Sequence, residues 1–143
     1  MDERFTPRPV APWYMAGAVA SLLFMLIGCA VYAMHLYTDP ATLPLDQRVM
    51  FEAEPRWVTT ALGIAAVVGA AGAVLLLLRR KMAVPLLLVA LLGAIVWGVG
   101  LLAAPRLRDL LSTNEIAVVI VAIALTWTIY RFGRHSRERG WLR

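Results

Sequence analysis

One imidazole and three carboxylates stand near one another along the chain: His35 is followed by Asp46, Glu52 and Glu54. A histidine among carboxylates can ligate a metal or relay protons, because imidazole titrates near neutral pH. The spacing lacks the close pairs that put two ligands on one helical face, as in H-E-x-x-H. An interfacial or hydrogen-bonded histidine is therefore expected, with no metal and no cofactor. The second histidine, His135, lies in a basic tail. Cys29 is the only cysteine, which excludes an intrachain disulfide and a cysteine-based zinc site. No nucleophile–base constellation can be assembled, so an enzyme is not expected.

The elements that hold these residues are written in the hydropathy. Apolar residues make up 61% of the 143 and charged residues only 16%, too oily for a water-facing surface. Three apolar runs, 13–37, 57–78 and 82–104, have 22 to 25 residues each. As helices they extend about 33 to 37 Å, enough to cross a hydrocarbon core of about 30 Å. The first is longer than a signal-peptide core and has no small-x-small site at its end, so it is expected to be retained.

The fourth apolar run, 116–130, is only 15 residues long, near 22 Å as a helix and too short by itself. Ser112-Thr113-Asn114-Glu115 spells a capping box that starts the helix earlier. Beyond Tyr130, Arg131 and Arg134 can snorkel to lipid phosphates. A fourth span over 113–133 is predicted. The fold class is thus all-α: a single polytopic membrane domain, 1–143, of four transmembrane helices in an antiparallel bundle, with a short interfacial helix in the first outer loop.

No Asp, Glu, Lys or Arg lies in the central part of a span, where ion- and proton-coupled transporters keep such residues. Ser21, Cys29, Thr59, Thr60, Thr126 and Thr128 are the remaining polar groups there, and hydroxyls of this kind usually bond their own helix backbone. Charge is segregated instead to the connections. The N-terminal segment, the 79–81 turn and the tail hold ten of the fourteen basic residues; the other two loops hold four, with six of the nine acids. Cytoplasmic segments keep the excess of Lys and Arg. Both termini are expected in the cytoplasm. The basic balance fits anionic lipid headgroups at the cytoplasmic face, not nucleic acid.

Helix-packing faces are also legible. The second span carries Ala61, Ala65, Gly69 and Ala73 at four-residue steps and the third carries Ala90, Ala94 and Gly98. Small residues in such stripes let helix backbones approach closely in lipid. Whether these faces look inward or toward another subunit is not set by composition. A partial echo relates 28–40 to 93–105, with Gly, Val, Leu and Pro recurring at matched positions.

The first outer loop is the most informative polar segment. Pro44 precedes Leu45 to Ala53, Arg48 and Glu52 stand four apart, and Pro55 follows, which together predict a short helix. Leu45, Val49 and Met50 give it a side that can rest on the membrane surface. The segment Phe51-Glu-Ala-Glu-Pro-Arg-Trp-Val58, then a basic turn at Arg79-Arg80-Lys81 and Met82-Ala-Val-Pro-Leu86, resembles an uncharacterised family of small bacterial four-helix inner-membrane proteins, sometimes labelled "sugar transporter". The similarity covers most of the chain and is densest from about 45 to 96. If the shared motif marks a site, the resemblance implies Phe51, Glu52, Pro55 and Trp57, near His35, at the outer boundary. The leading functional expectation is a non-enzymatic accessory or interaction subunit, as a homo-oligomer or within a larger membrane complex. The alternative is a small-solute transporter or channel acting as an oligomer.

Overall fold

The computed structural model describes residues 9–143, and their secondary structure is helical throughout. Arg4 and Arg8, counted above with the basic segments, lie outside the described residues. In chain order the elements are α1 (Trp13–Tyr37), a 3-10 turn (Pro40–Thr42), α2 (Leu45–Ala53), α3 (Arg56–Leu77), α4 (Ala83–Ala103), α5 (Pro105–Arg108) and α6 (Thr113–Glu138). Helices α1, α3, α4 and α6 are each long and apolar enough to cross a membrane. The predicted helix at Leu45–Ala53 is present, and so is the capping box: Ser112 Oγ accepts from the Glu115 amide while Glu115 accepts from the Ser112 amide. The 3-10 turn and α5 were not anticipated. Each opens on the proline of the sequence echo, Pro40 or Pro105, where a fixed φ and a missing amide suit a first helical turn.

Packing runs α1 on α3, α3 on α4 and α4 on α6. The closest seam is α3–α4. A Cβ at Gly93 would stand 3.2 Å from the Ala61 carbonyl oxygen, and one at Gly69 would stand 3.3 Å from the Ala90 Cβ. Gly72 lies against Leu87 in the same way, so partners ascend along α3 as they descend along α4. Ala61, Ala65, Gly69, Ala73, Ala90, Ala94 and Gly98 are all buried within the one chain. They do not all serve one seam. A Cβ at Gly98 would meet Ile123 and Val119 of α6. Four residues turn a helix by about 400°, so a four-step stripe drifts by about 40° per step and passes from one neighbour to the next. Gly93, outside the stripe, takes the close approach to α3.

Helix α6 continues to Glu138, five residues past its predicted end at 133. An Arg134 Nε–Glu138 Oε1 pair at 3.0 Å spans the added turn, an i, i+4 arrangement that supports helix outside the apolar run. The stop comes at Gly140, with φ of 73°. The Trp141 amide donates to the Ser136 carbonyl and the Gly140 amide to the Arg137 carbonyl, the paired bonds of a left-handed C-terminal cap. Helix α3 ends the same way, with Arg79 at φ of 54° and the Arg80 and Arg79 amides donating to Leu75 and Leu76.

These two caps meet. The Arg143 amide donates to the Arg79 carbonyl, and the Lys81 amide donates to the Arg143 carbonyl. Trp141 and Leu142 are thereby buried against Tyr14, Leu76 and Ala83. Trp13 and Tyr14 of α1 contact Phe132 of α6 at ring separations of 5.7 and 5.5 Å. At the basic-turn end, aromatic rings and backbone pairing thus tie α1, the α3–α4 turn and the tail together.

Candidate functional site

The α2 end is assembled around His35, in the last turn of α1. The Phe51 ring stacks on the imidazole with centroids 4.6 Å apart. His35 Nε2 lies 3.7 Å from Glu54 Oε2. The other carboxylate oxygen of Glu54 accepts from Thr59 Oγ1 at 3.0 Å. Glu54 follows the last residue of α2, and Pro55 precedes the first residue of α3. Proline cannot continue α2, yet its φ suits the approach to a new helix. The carboxylate is therefore set at a bend, facing α1 and α3 together, and the four residues clasp α1, α2 and α3.

Glu52 is not part of this clasp. Its carboxylate accepts from Arg48 Nε at 2.7 Å, with both side chains about half exposed, at 54% and 46%. That hydrogen bond pushes the Arg48 guanidinium pKa up, and the Coulombic attraction of Glu52 adds to it. Helical spacing explains the division. Gln47, Met50, Phe51 and Glu54 fall at i, i+3, i+4 and i+7 and share one face, while Arg48 and Glu52 share another. The motif resemblance pointed to Glu52; the periodicity alone would have chosen Glu54. Trp57 lies with its ring edge against Gly100 of α4, where an added Cβ would come within 2.6 Å of it, and is 55% exposed. That suits an interfacial anchor better than a ligand contact.

Beneath the clasp is a cleft of about 350 Å³. His35, Glu54, Asn114 and Glu115 supply its polar groups, and Val31, Leu62, Trp97, Leu101, Val118 and Val119 line much of the rest. It adjoins a second hollow of about 330 Å³ that shares His35, Met50, Glu54, Leu101 and Glu115 and adds Gln47 and Phe51. Sequence reasoning placed Glu115 only in the capping box and did not place Asn114 at a site. Both stand at the start of α6, and no local pattern shows that this helix end leans over the clasp.

Chemically the cleft offers an imidazole, an amide and two carboxylates above an apolar wall, which suits a polar or amphipathic solute. Much of this polarity is committed. Glu115 accepts from the Ser112 amide at 2.7 Å and from its hydroxyl at 2.8 Å. Among the described residues no three His, Cys, Asp or Glu side chains come together as a metal site.

Deeper in, a void of about 80 Å³ is bounded by residues of all four long helices, including Met25, Leu62, Ala94, Trp97 and Thr126. The hydroxyls near it are satisfied locally: Thr126 donates to Ala122 at 2.8 Å and Ser21 to Gly17 at 2.7 Å. Cys29 donates across helices to the Ala66 carbonyl at 3.3 Å. Among the described residues no buried side-chain polar atom lacks a partner. A third opening, a groove of about 400 Å³, separates α1 from α6. Gly17, Ala20, Ser21 and Phe24 line one side and Leu125 and Thr128 the other, above the Phe132 ring. No family model matches the chain, and no curated protein or solved structure matches it.

Proposed function

We propose that the protein is a non-enzymatic, multi-pass protein of the bacterial inner membrane that works as an accessory or interaction subunit. In this reading the four spans form an antiparallel bundle with both termini in the cytoplasm. Short connections and the segregation of basic residues support the orientation. Helix α2 lies in the outer interface, a placement supported by Leu45 and Val49, one turn apart and 81% and 49% exposed. Membership of the family that the Phe51–Val58 segment resembles is part of the same proposal.

The observation that carries the reading is the groove between α1 and α6. Its α1 wall, Gly17, Ala20, Ser21 and Phe24, has the i, i+3, i+4, i+7 spacing of a helix-packing seam and opens away from α3. A transmembrane helix of another subunit, or of a second copy, fits such a seam by packing alone. The test is photocrosslinking in membranes from position Ala20, with Leu92, which is 54% exposed on α4, as the control. A discrete adduct from Ala20 and none from Leu92 is expected. A chain that stays monomeric and uncrosslinked from both positions overturns the proposal.

A second reading, a small-solute transporter or channel acting as an oligomer, is favoured by one observation. The groove, the central void and the outer cleft are neighbours in series: Phe24 borders the first two, and Leu62 and Trp97 border the last two. The void, about 80 Å³, is too narrow for a sugar. Transport through one chain would therefore require it to widen. Flux assays in proteoliposomes with Trp97→Ala and Thr126→Val decide this reading, since both residues line the constriction. Flux equal to that of empty liposomes for sugars and common ions removes it.

A further inference from the structure

A hollow lies at the opposite end from the clasp. It measures about 580 Å³ and sits between the start of α4 and the end of α6, within the range of about 300–1,000 Å³ usual for ligand clefts. Val84, Pro85 and Leu88 form an apolar floor, Tyr130 borders it, and Arg134 and Arg137 stand over it. We propose that this cleft is a binding site for an anionic phospholipid, with the phosphate held by Arg134 and Arg137 and an acyl chain lying along Val84, Pro85 and Leu88.

The two arginines are three residues apart on α6, so they project to the same side. Glu138 engages Arg134 through Nε, at 3.0 Å. This uses one donor of a five-donor fork and fixes the plane of the guanidinium. Two positive charges then face one committed carboxylate, and the cleft attracts an anion. Arginine excess on one side of a membrane does not by itself make a site, because snorkelling arginines spread over the surface. Here the arginines sit over a hollow whose other wall is the apolar first turns of α4, at the boundary where the span begins. A soluble phosphate would satisfy the arginines and leave that floor wet. A phospholipid satisfies both, and basic pockets between transmembrane helices recognise acidic headgroups in this way. The inference needs only that α4 and α6 span a membrane, and does not depend on the accessory-subunit reading.

The experiment is native mass spectrometry of the full chain in detergent, titrated with phosphatidylglycerol, phosphatidylcholine of the same chains, or inorganic phosphate. Phosphatidylglycerol is expected to bind in preference to phosphatidylcholine. Arg134→Gln and Arg137→Gln should each weaken it by about tenfold, the scale of one lost charge-assisted hydrogen bond. Arg139→Gln, outside the cleft, should leave it unchanged. Leu88→Trp fills the floor while keeping every charge; it should weaken phosphatidylglycerol and leave retention of phosphatidylcholine elsewhere on the protein as it was. Equal binding of the two lipids overturns the proposal. So does undiminished phosphatidylglycerol binding in the arginine variants or in Leu88→Trp, and so does inorganic phosphate displacing the lipid at equal concentration.

Discussion

Glu54 and Glu52 are separated by one residue and by nearly everything else. Glu54 lies at 13% side-chain exposure between His35 and Thr59, while Glu52 is half exposed beside Arg48. Removing the Glu54 carboxylate strands the Thr59 hydroxyl and takes the neighbouring carboxylate from the imidazole at a helix junction. Glu54→Ala should therefore destabilise the protein by about 1–2 kcal/mol, the cost of leaving partly buried partners unmatched. Glu52→Ala breaks only a screened surface pair and should leave the melting temperature where it is. Thermal unfolding of the purified variants compares the two, and an equal loss would mean that the clasp does not hold α1 to α3. The sequence already contained this distinction, in the shared face of Gln47, Met50, Phe51 and Glu54. What it did not contain was the distance from His35, which depends on how far the 3-10 turn carries the chain back toward α1.

The boundaries of elements were legible where a local rule sets them and not where a tertiary contact does. The Ser112 capping box and the Pro44 and Pro55 boundaries of α2 are local, and all three appear where sequence placed them. The end of α6 mixes the two: the Arg134–Glu138 pair and the Gly140 cap are local signals that were passed over, while the burial of the tail after the cap against Tyr14 and Leu76 is tertiary. The α3–α4 seam shows the same division. Small residues announced close packing, but which residue makes the closest approach depends on helix rotation. A Cβ at Gly93 would press on the Ala61 carbonyl and Ala65 amide, backbone that cannot yield without parting the helices. At Gly69 the nearest atom would be the Met25 sulfur, the movable part of a flexible side chain. Gly93→Ala should thus cost about 1–3 kcal/mol as overpacking, and Gly69→Ala clearly less. The folded fraction after graded denaturant or SDS treatment measures both. The ranking reverses if the seam is held by side chains instead of by backbone approach.

At the scale of the whole molecule the two ends differ in construction, and the difference bears on how the chain sits in a bilayer. The end with Arg79, Arg80, Lys81 and the arginine-rich tail is locked by backbone pairing at Arg143 and by the Trp13, Tyr14, Phe132 and Trp141 rings. The other end carries most of the acids of the described residues, α2 and the two adjoining hollows. Four apolar spans could be read from composition; the groove between α1 and α6 could not, because a stripe of residues does not say which neighbour it faces. The proposed orientation, argued from charge, can be measured directly. With Cys29→Ser as background, Asp46→Cys places a thiol on α2 and Arg139→Cys places one beside the C-terminal cap, both at exposed positions. A membrane-impermeant maleimide applied to intact spheroplasts should label the α2 position, and should label the Arg139 position only after the membrane is opened. Labelling in the reverse order would invert the topology and move the arginine cleft to the outer leaflet. Three long helices, α3, α4 and α6, separate the two positions. An odd number puts them on opposite sides if each crosses, so labelling of both before lysis would mean that one of the three does not cross.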